Sequence, residues 1–147
     1  MKLVNIYLAT TLCTPQRQDG YCGYVLEMET AKGPATLFGC DKLDQVTAQQ
    51  AELIVLIKAL KRIKECCRLI IYTESEYVAA GFEQDWIEKW EDASWLTSKG
   101  KPVANKEEWQ QMKVLLGAHE FSFMVKEQHS YKRWLQLELK KKENSDV

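Results

Sequence analysis

The stretch Thr47 to Ser75, TAQQAELIVLIKALKRIKECCRLIIYTES, constrains the fold more than any other part of the chain. From Ala51 to Ile63 only Glu52, Lys58, Lys61 and Arg62 interrupt the apolar residues, so a helix here is buried over most of its circumference. Its first turn nevertheless carries Glu52, a charge that such a segment tolerates only if the carboxylate faces a cleft or a cation. After a turn at Glu65-Cys66-Cys67, the run from Arg68 to Thr73 is short, apolar, β-branched and aromatic, and it ends on a second acid, Glu74. A central helix followed by a buried strand brings the two carboxylates toward one another at the same end of a sheet.

The rest of the chain supplies the partners for that pair. Leu3 to Ala9 alternates as a strand, the turn-rich TPQRQDG leads to a second strand from Tyr21 to Glu29, and Lys32-Gly33-Pro34 leads to a third from Ala35 to Cys40. These form an antiparallel meander. The strand after the central helix returns by a right-handed crossover, parallel to the first strand and beside it, which places Ala9 near Glu52 and Glu74. Beyond Glu74 the pattern predicts a short helix from Ser75 to Gly81, which Glu74 could cap. An acidic helical segment, Glu83 to Asp92, follows. Next come a helix from Asn105 to Ala118 capped by Asn105, a strand from Glu120 to Lys126, and a final helix from Tyr131 to Lys142. The expected architecture is α/β: a five-stranded mixed sheet, three strands antiparallel and then two parallel, flanked by helices. Residues 1–142 form one domain, and Glu143 to Val147 is expected to fray.

Gln50-Ala51-Glu52-Leu53 at the head of the long helix, followed by Ile71-Tyr72-Thr73-Glu74-Ser75-Glu76-Tyr77-Val78, resembles the type 1 ribonuclease H (RNase H) domain. Trp95-Leu96-Thr97-Ser98-Lys99-Gly100-Lys101-Pro102-Val103, with Asn105 and Trp109 beyond it, is similar to the family's later segment, and the likeness covers roughly residues 2 to 130. The resemblance implies an RNase H-like fold and, in active members, hydrolysis of RNA in RNA-DNA hybrids by two Mg2+ or Mn2+ ions held about 3.5–4 Å apart by four acids.

Matched position by position, those acids are altered. Ala9 stands where the resemblance implies the first, metal-bridging Asp. Glu52 matches the second acid, and Glu74 replaces the third, an Asp, moving its oxygens by roughly 1.5 Å. Glu138 is the nearest acid on the last helix to the fourth position, one residue short in its offset from His129. His129 itself resembles the family's mobile-loop histidine, although an isolated histidine in a polar loop is commonly just solvated. The positions that read the substrate, including the RNA 2′-OH, are Ala48 and Gln49 in place of asparagines, and Glu76 in place of Gln or Lys. Glu52 and Glu74 are therefore the expected metal ligands of a decayed site, in a domain retained for binding nucleic acid or protein. The alternative is an active hybrid endoribonuclease with a reduced metal site.

Charge bears on the partner. The net charge of -1 gives no overall attraction to polyanions. Where some family members carry a basic protruding helix, this chain has Glu83, Asp85, Glu88, Glu91 and Asp92, with Glu76 just upstream, against Lys89 alone. A nucleic-acid duplex would be repelled there, and Glu83 to Trp95, with its tryptophans, is a candidate protein-binding surface instead. Lys140, Lys141 and Lys142 suit the C-terminus of a helix. Five cysteines without metal-like spacing read as reduced, mostly buried thiols. The apolar part of MKLVNIYLAT is too short for a signal-peptide core, and no segment reaches the length of a membrane span, so a cytoplasmic protein is expected.

Overall fold

The computed structural model describes residues 1–145. The chain runs β1 (Lys2–Thr10), β2 (Gln18–Thr30), β3 (Gly33–Val46), α1 (Ala48–Leu60), β4 (Cys67–Thr73), α2 (Glu76–Glu83), α3 (Trp86–Asp92), α4 (Lys106–Leu116), β5 (Glu120–Val125) and α5 (Lys132–Ser145). The five strands form one sheet in the order β3-β2-β1-β4-β5. β1, β2 and β3 pair antiparallel, whereas β1–β4 and β4–β5 pair parallel, as expected for the crossover through α1.

The two faces of the sheet are covered differently. On one, α1 buries Ala51, Leu53, Val55, Leu56, Ile57, Ala59 and Leu60, and α4 adds Trp109, Met112 and Leu116. On the other, α5 lays Leu135 over Tyr7 and Val25 and Leu139 over Gly23. Ala9 and Gly23 are register partners beneath α5, and a Cβ at Gly23 would come within 3.0 Å of Leu139, so small residues here let the helix sit close to the sheet.

Several boundaries differ from the sequence pattern. β2 and β3 are longer than expected because their pairing continues from Gln18↔Val46 to Thr30↔Gly33, through residues whose outer face is polar and gives no hydrophobic signal. α1 ends at Leu60, short of Ile63 where the apolar run stops, and Lys61 and Arg62 form a turn. Ser75, not Glu74, caps α2: its Oγ accepts the Val78 N–H at 3.2 Å. Asn105 precedes α4 in a left-handed conformation without capping it, and its amide donates to the Tyr77 hydroxyl at 3.4 Å. α5 extends through Ser145, within the segment expected to fray, and Asp146 and Val147 of that segment lie outside the described residues. Of the cysteines, all unpaired, only Cys22 and Cys67 are buried; Cys13 and Cys66 are exposed. No described helix is long and apolar enough to cross a membrane.

Trp109 anchors the side of α1 away from the sheet. It is fully buried, its Nε1 donates to the Tyr77 hydroxyl at 2.9 Å, and the rings of Tyr77, Phe82, Trp86 and Trp90 surround it. Gly81 on α2 packs directly against that indole, and a methyl group there would run into it. Gly81→Ala is therefore expected to destabilise the fold by roughly 2 kcal/mol despite its better helix propensity, lowering Tm by on the order of 6 °C. Unchanged or raised Tm in a thermal melt would contradict this packing.

Candidate active site

The parallel pairing of β1 with β4 sets Tyr7 beside Tyr72, and two residues further along each strand stand Ala9 and Glu74. α1 starts at this same end of the sheet because Thr47 caps it, its Oγ1 accepting the Gln50 N–H at 3.1 Å. Glu52 in the first turns of α1 therefore looks onto the strand ends. The result is a pocket of about 220 Å3 lined by Leu8, Ala9, Thr10, Leu12, Glu52, Glu74, His129, Lys132 and Gln136. Larger concavities lie elsewhere, one of about 570 Å3 lined by Val4, Leu26, Leu37 and Ile63 together with Glu27, Arg62, Lys64 and Glu65, but none of the site residues expected from the sequence lines it.

Glu52 is the inner carboxylate. Thr73, the buried last residue of β4, donates its hydroxyl to Glu52 Oε2 at 3.3 Å and accepts the Ser75 N–H at 3.0 Å. Burial pushes the Glu52 carboxyl up to about 7; the Thr73 hydrogen bond pulls it down, and the Glu74 charge adds to the rise. Glu74 is the outer, half-exposed carboxylate, and Lys132 Nζ stands 2.9 Å from its Oε1.

His129 is half-buried and lines the pocket, its ring tilted against Tyr7 at 4.6 Å and against Tyr72 at 5.4 Å. Its Nδ1 accepts the Tyr131 N–H at 3.2 Å, which leaves the proton of the neutral ring on Nε2. Burial, then the nearby Lys132 charge, push its pKa down, with Glu74 opposing. Near neutral pH this histidine is an uncharged donor into the pocket.

The sequence places Ala9 near Glu52 and Glu74; all three line this pocket, and so does His129. Glu138 is different. It lies outside the pocket, in an ion pair with Lys141 at 3.0 Å, because α5 begins only three residues after His129 and Leu135 and Leu139 fix its inward face. The residues that reach the pocket from α5 are Lys132 and Gln136, one turn apart, and pattern reading missed both. The signal was present: no glycine follows His129 to lengthen the loop, and Leu135 and Leu139 at i, i+4 define the helix phase. Among the described residues no group of three or more His, Cys, Asp or Glu side chains is arranged to hold a metal ion.

The flanking positions are also placed. Ala48 is half-buried against the core, Gln49 is exposed, and Glu76 is exposed and paired with Lys126 at 3.4 Å. Glu83, Asp85, Glu88, Glu91 and Asp92 are exposed as expected, but Trp86 and Trp90 turn into the Trp109 cluster and Trp95 is buried. The surface from Glu83 to Trp95 thus offers acids and no free tryptophan anchor.

The environment of Glu52 fixes a pH dependence. With its folded pKa at about 7, above the ordinary 4.5, the folded state holds a proton that the unfolded state has lost across that window. The contribution of Glu52 to stability is therefore greatest below about pH 4.5, declines as pH rises to about 7, and is flat beyond it. Glu52→Gln keeps an acceptor for Thr73 without the charge. It is expected to match the parent near pH 4.5 and to exceed it at pH 8 by on the order of 2 to 3 kcal/mol. Urea unfolding at the two pH values measures the difference, and an equal difference at both would place Glu52 in a solvated setting.

Comparison with known proteins places this geometry in a family. The RNase H family profile matches residues 4–134. Ribonuclease H of Acetivibrio thermocellus is 34% identical over 130 residues, covering 88% of this chain and 85% of that protein. Among solved structures, LC9-RNase H1, described as a type 1 RNase H with the type 2 active-site motif, superposes with a TM-score of 0.78 at 16% identity, over 100% of this chain and 74% of the other. LC11-RNase H1 in complex with RNA/DNA hybrid gives a TM-score of 0.58 at 16% identity, over 95% and 98%. The strand order, the pocket at the ends of the parallel strands and the sequence matches across most of its length agree: this chain belongs to the RNase H family.

Proposed function

We propose that this chain is a non-hydrolytic member of the family, retained for binding nucleic acid rather than for two-metal cleavage. The observation that carries this reading is the makeup of the pocket: Ala9 stands at the end of β1, and Glu74 is paired with Lys132 at 2.9 Å. A pair of Mg2+ or Mn2+ ions about 3.5–4 Å apart needs a bridging carboxylate and further acidic oxygens around it. Glu52 and Glu74 are the two carboxylates lining the pocket, Gln136 supplies a neutral amide where α5 approaches, and a methyl group faces the place of the bridge. These residues do not fit the two-ion site.

Nucleic acid is the proposed partner because the family relation extends over most of the chain and LC11-RNase H1, of the same fold, has been solved with an RNA/DNA hybrid. Binding would have to use the flanks of the pocket, as the acidic face of α2 and α3 opposes a duplex. A second reading, hydrolysis with a reduced site, is favoured by the 34% identity to a protein named Ribonuclease H. It would rest on Glu52, Glu74 and the Nε2–H of His129.

A labelled RNA-DNA hybrid incubated with Mg2+ or Mn2+ distinguishes the two. The expected result is turnover far below the lower end of ordinary enzymes, about 1 per second. Cleavage at or above that rate, abolished by Glu52→Gln, would establish the second reading. Gel shifts without divalent ions are expected to show weak, salt-dependent retention of the hybrid. Replacing Glu83, Glu88 and Glu91 together by Lys should tighten that binding and steepen the slope of log K against log salt by roughly one to three. An unchanged slope would mean that a duplex never approaches α2 and α3.

A further inference from the structure

We propose that Lys132 is a tethered cation: its ammonium group supplies, inside the acidic pocket, the positive charge that divalent ions would otherwise bring, and it holds Glu74 against them. The proposal rests on the reading above that the pocket does not fit a two-ion site. It adds the element of this chain that takes the ions' place.

Three features support it. Lys132 Nζ is 2.9 Å from Glu74 Oε1, and its side chain, 27% exposed, is the most buried lysine of any ion pair among the described residues; the others range from 37% to 74%. Lys132 also opens α5, where the positive end of the helix dipole disfavours a cation, so helix preference does not explain a lysine at that place. Finally, the backbone that carries it is fixed. Tyr131, the preceding residue, donates its hydroxyl to Glu27 Oε2 at 2.7 Å and its N–H to His129 Nδ1, and Leu135 and Leu139 lock the helix onto the sheet. With the backbone already set, only the side chain's own rotamer freedom is lost when the ammonium reaches Glu74.

The consequence is competition. A divalent ion entering the pocket must displace the ammonium from Glu74 or bind beside a like charge, and either route weakens it.

Mn2+ binding, read from the electron paramagnetic resonance signal of the free ion, tests this without reference to activity. The comparison uses Ala9→Asp, which provides a third carboxylate, against Ala9→Asp/Lys132→Ala and Ala9→Asp/Lys132→Arg, each checked for a folded thermal transition. Removal of the ammonium is expected to tighten Mn2+ binding at least about tenfold, and arginine, which keeps the charge, is expected to leave it weak. In the same titrations Mn2+ should raise the Tm of the alanine variant by roughly 3–5 °C at tenfold excess over its Kd, and that of the other two by less. If Ala9→Asp/Lys132→Ala does not fold, Ala9→Asp/Lys132→Gln replaces it with the same expected outcome. Equal affinity in all variants, or none in any, overturns the tethered cation. Hybrid cleavage by the parent would overturn the non-hydrolytic reading instead, whichever way the Mn2+ titrations fall.

Discussion

The register of β1 against β4 is the constraint on which the site depends. Tyr7 opposes Tyr72, their rings stack at 4.7 Å, and the pairing fixes how far each strand extends before the chain turns away. Everything at the strand ends inherits that alignment: Ala9 and Glu74 on the α5 face, and Thr73 on the opposite face, where it meets Glu52 of α1. A slip of one residue would exchange the faces, send Glu74 under α1 and aim Thr73 at α5. The crevice beyond the carboxyl ends of parallel strands is where open α/β sheets commonly place their ligands, and here it lies where α1 and α5 both begin.

The sheet and α1 are readable in the sequence because both signals are strong and local. The near-continuous apolar character of Ala51 to Ile63 leaves no alternative to a buried helix, and the β-branched run from Arg68 to Thr73 leaves none to a buried strand. Their order, with a short turn between, dictates the parallel crossover, and so Ala9, Glu52 and Glu74 converge before any coordinate is known. The N-terminus of α5 is less legible. Its phase depends on Leu135 and Leu139, but its starting point depends on Tyr131 finding Glu27, a contact 104 residues apart that no local pattern encodes. Matching Glu138 to a family position measures distance along the chain from His129, whereas the helix measures it from Tyr131. With α5 starting three residues after His129, Gln136 reaches the pocket and Glu138 lies beside Lys141.

Glu27 of β2 ties together polar groups from β1 and from the segment ahead of α5. Its carboxylate accepts from Asn5 at 3.2 Å and Tyr7 at 3.3 Å on β1 and from Tyr131 at 2.7 Å ahead of α5. The Tyr131 bond, more than the others, holds its pKa below the ordinary carboxylate range, so it remains charged through the physiological interval and keeps all three donors. A partly buried acid on the sheet thus sets where the last helix starts, and through that helix it decides which side chains reach the crevice.

The tryptophans give the molecule two optical reporters of different regions. Trp86, Trp90, Trp95 and Trp109 form a chain of rings whose neighbouring centroids lie 5.4 to 6.5 Å apart, close enough for their excited states to couple. Trp134 stands apart on α5, half-exposed and edge-on to Phe38 of β3 at 4.9 Å. Near-ultraviolet circular dichroism should accordingly report mainly on the α2–α4 side of the protein, while the indole most open to quenchers is Trp134, on the helix that borders the pocket. Loosening of α5 alone would therefore change the fluorescence and leave the dichroism in place.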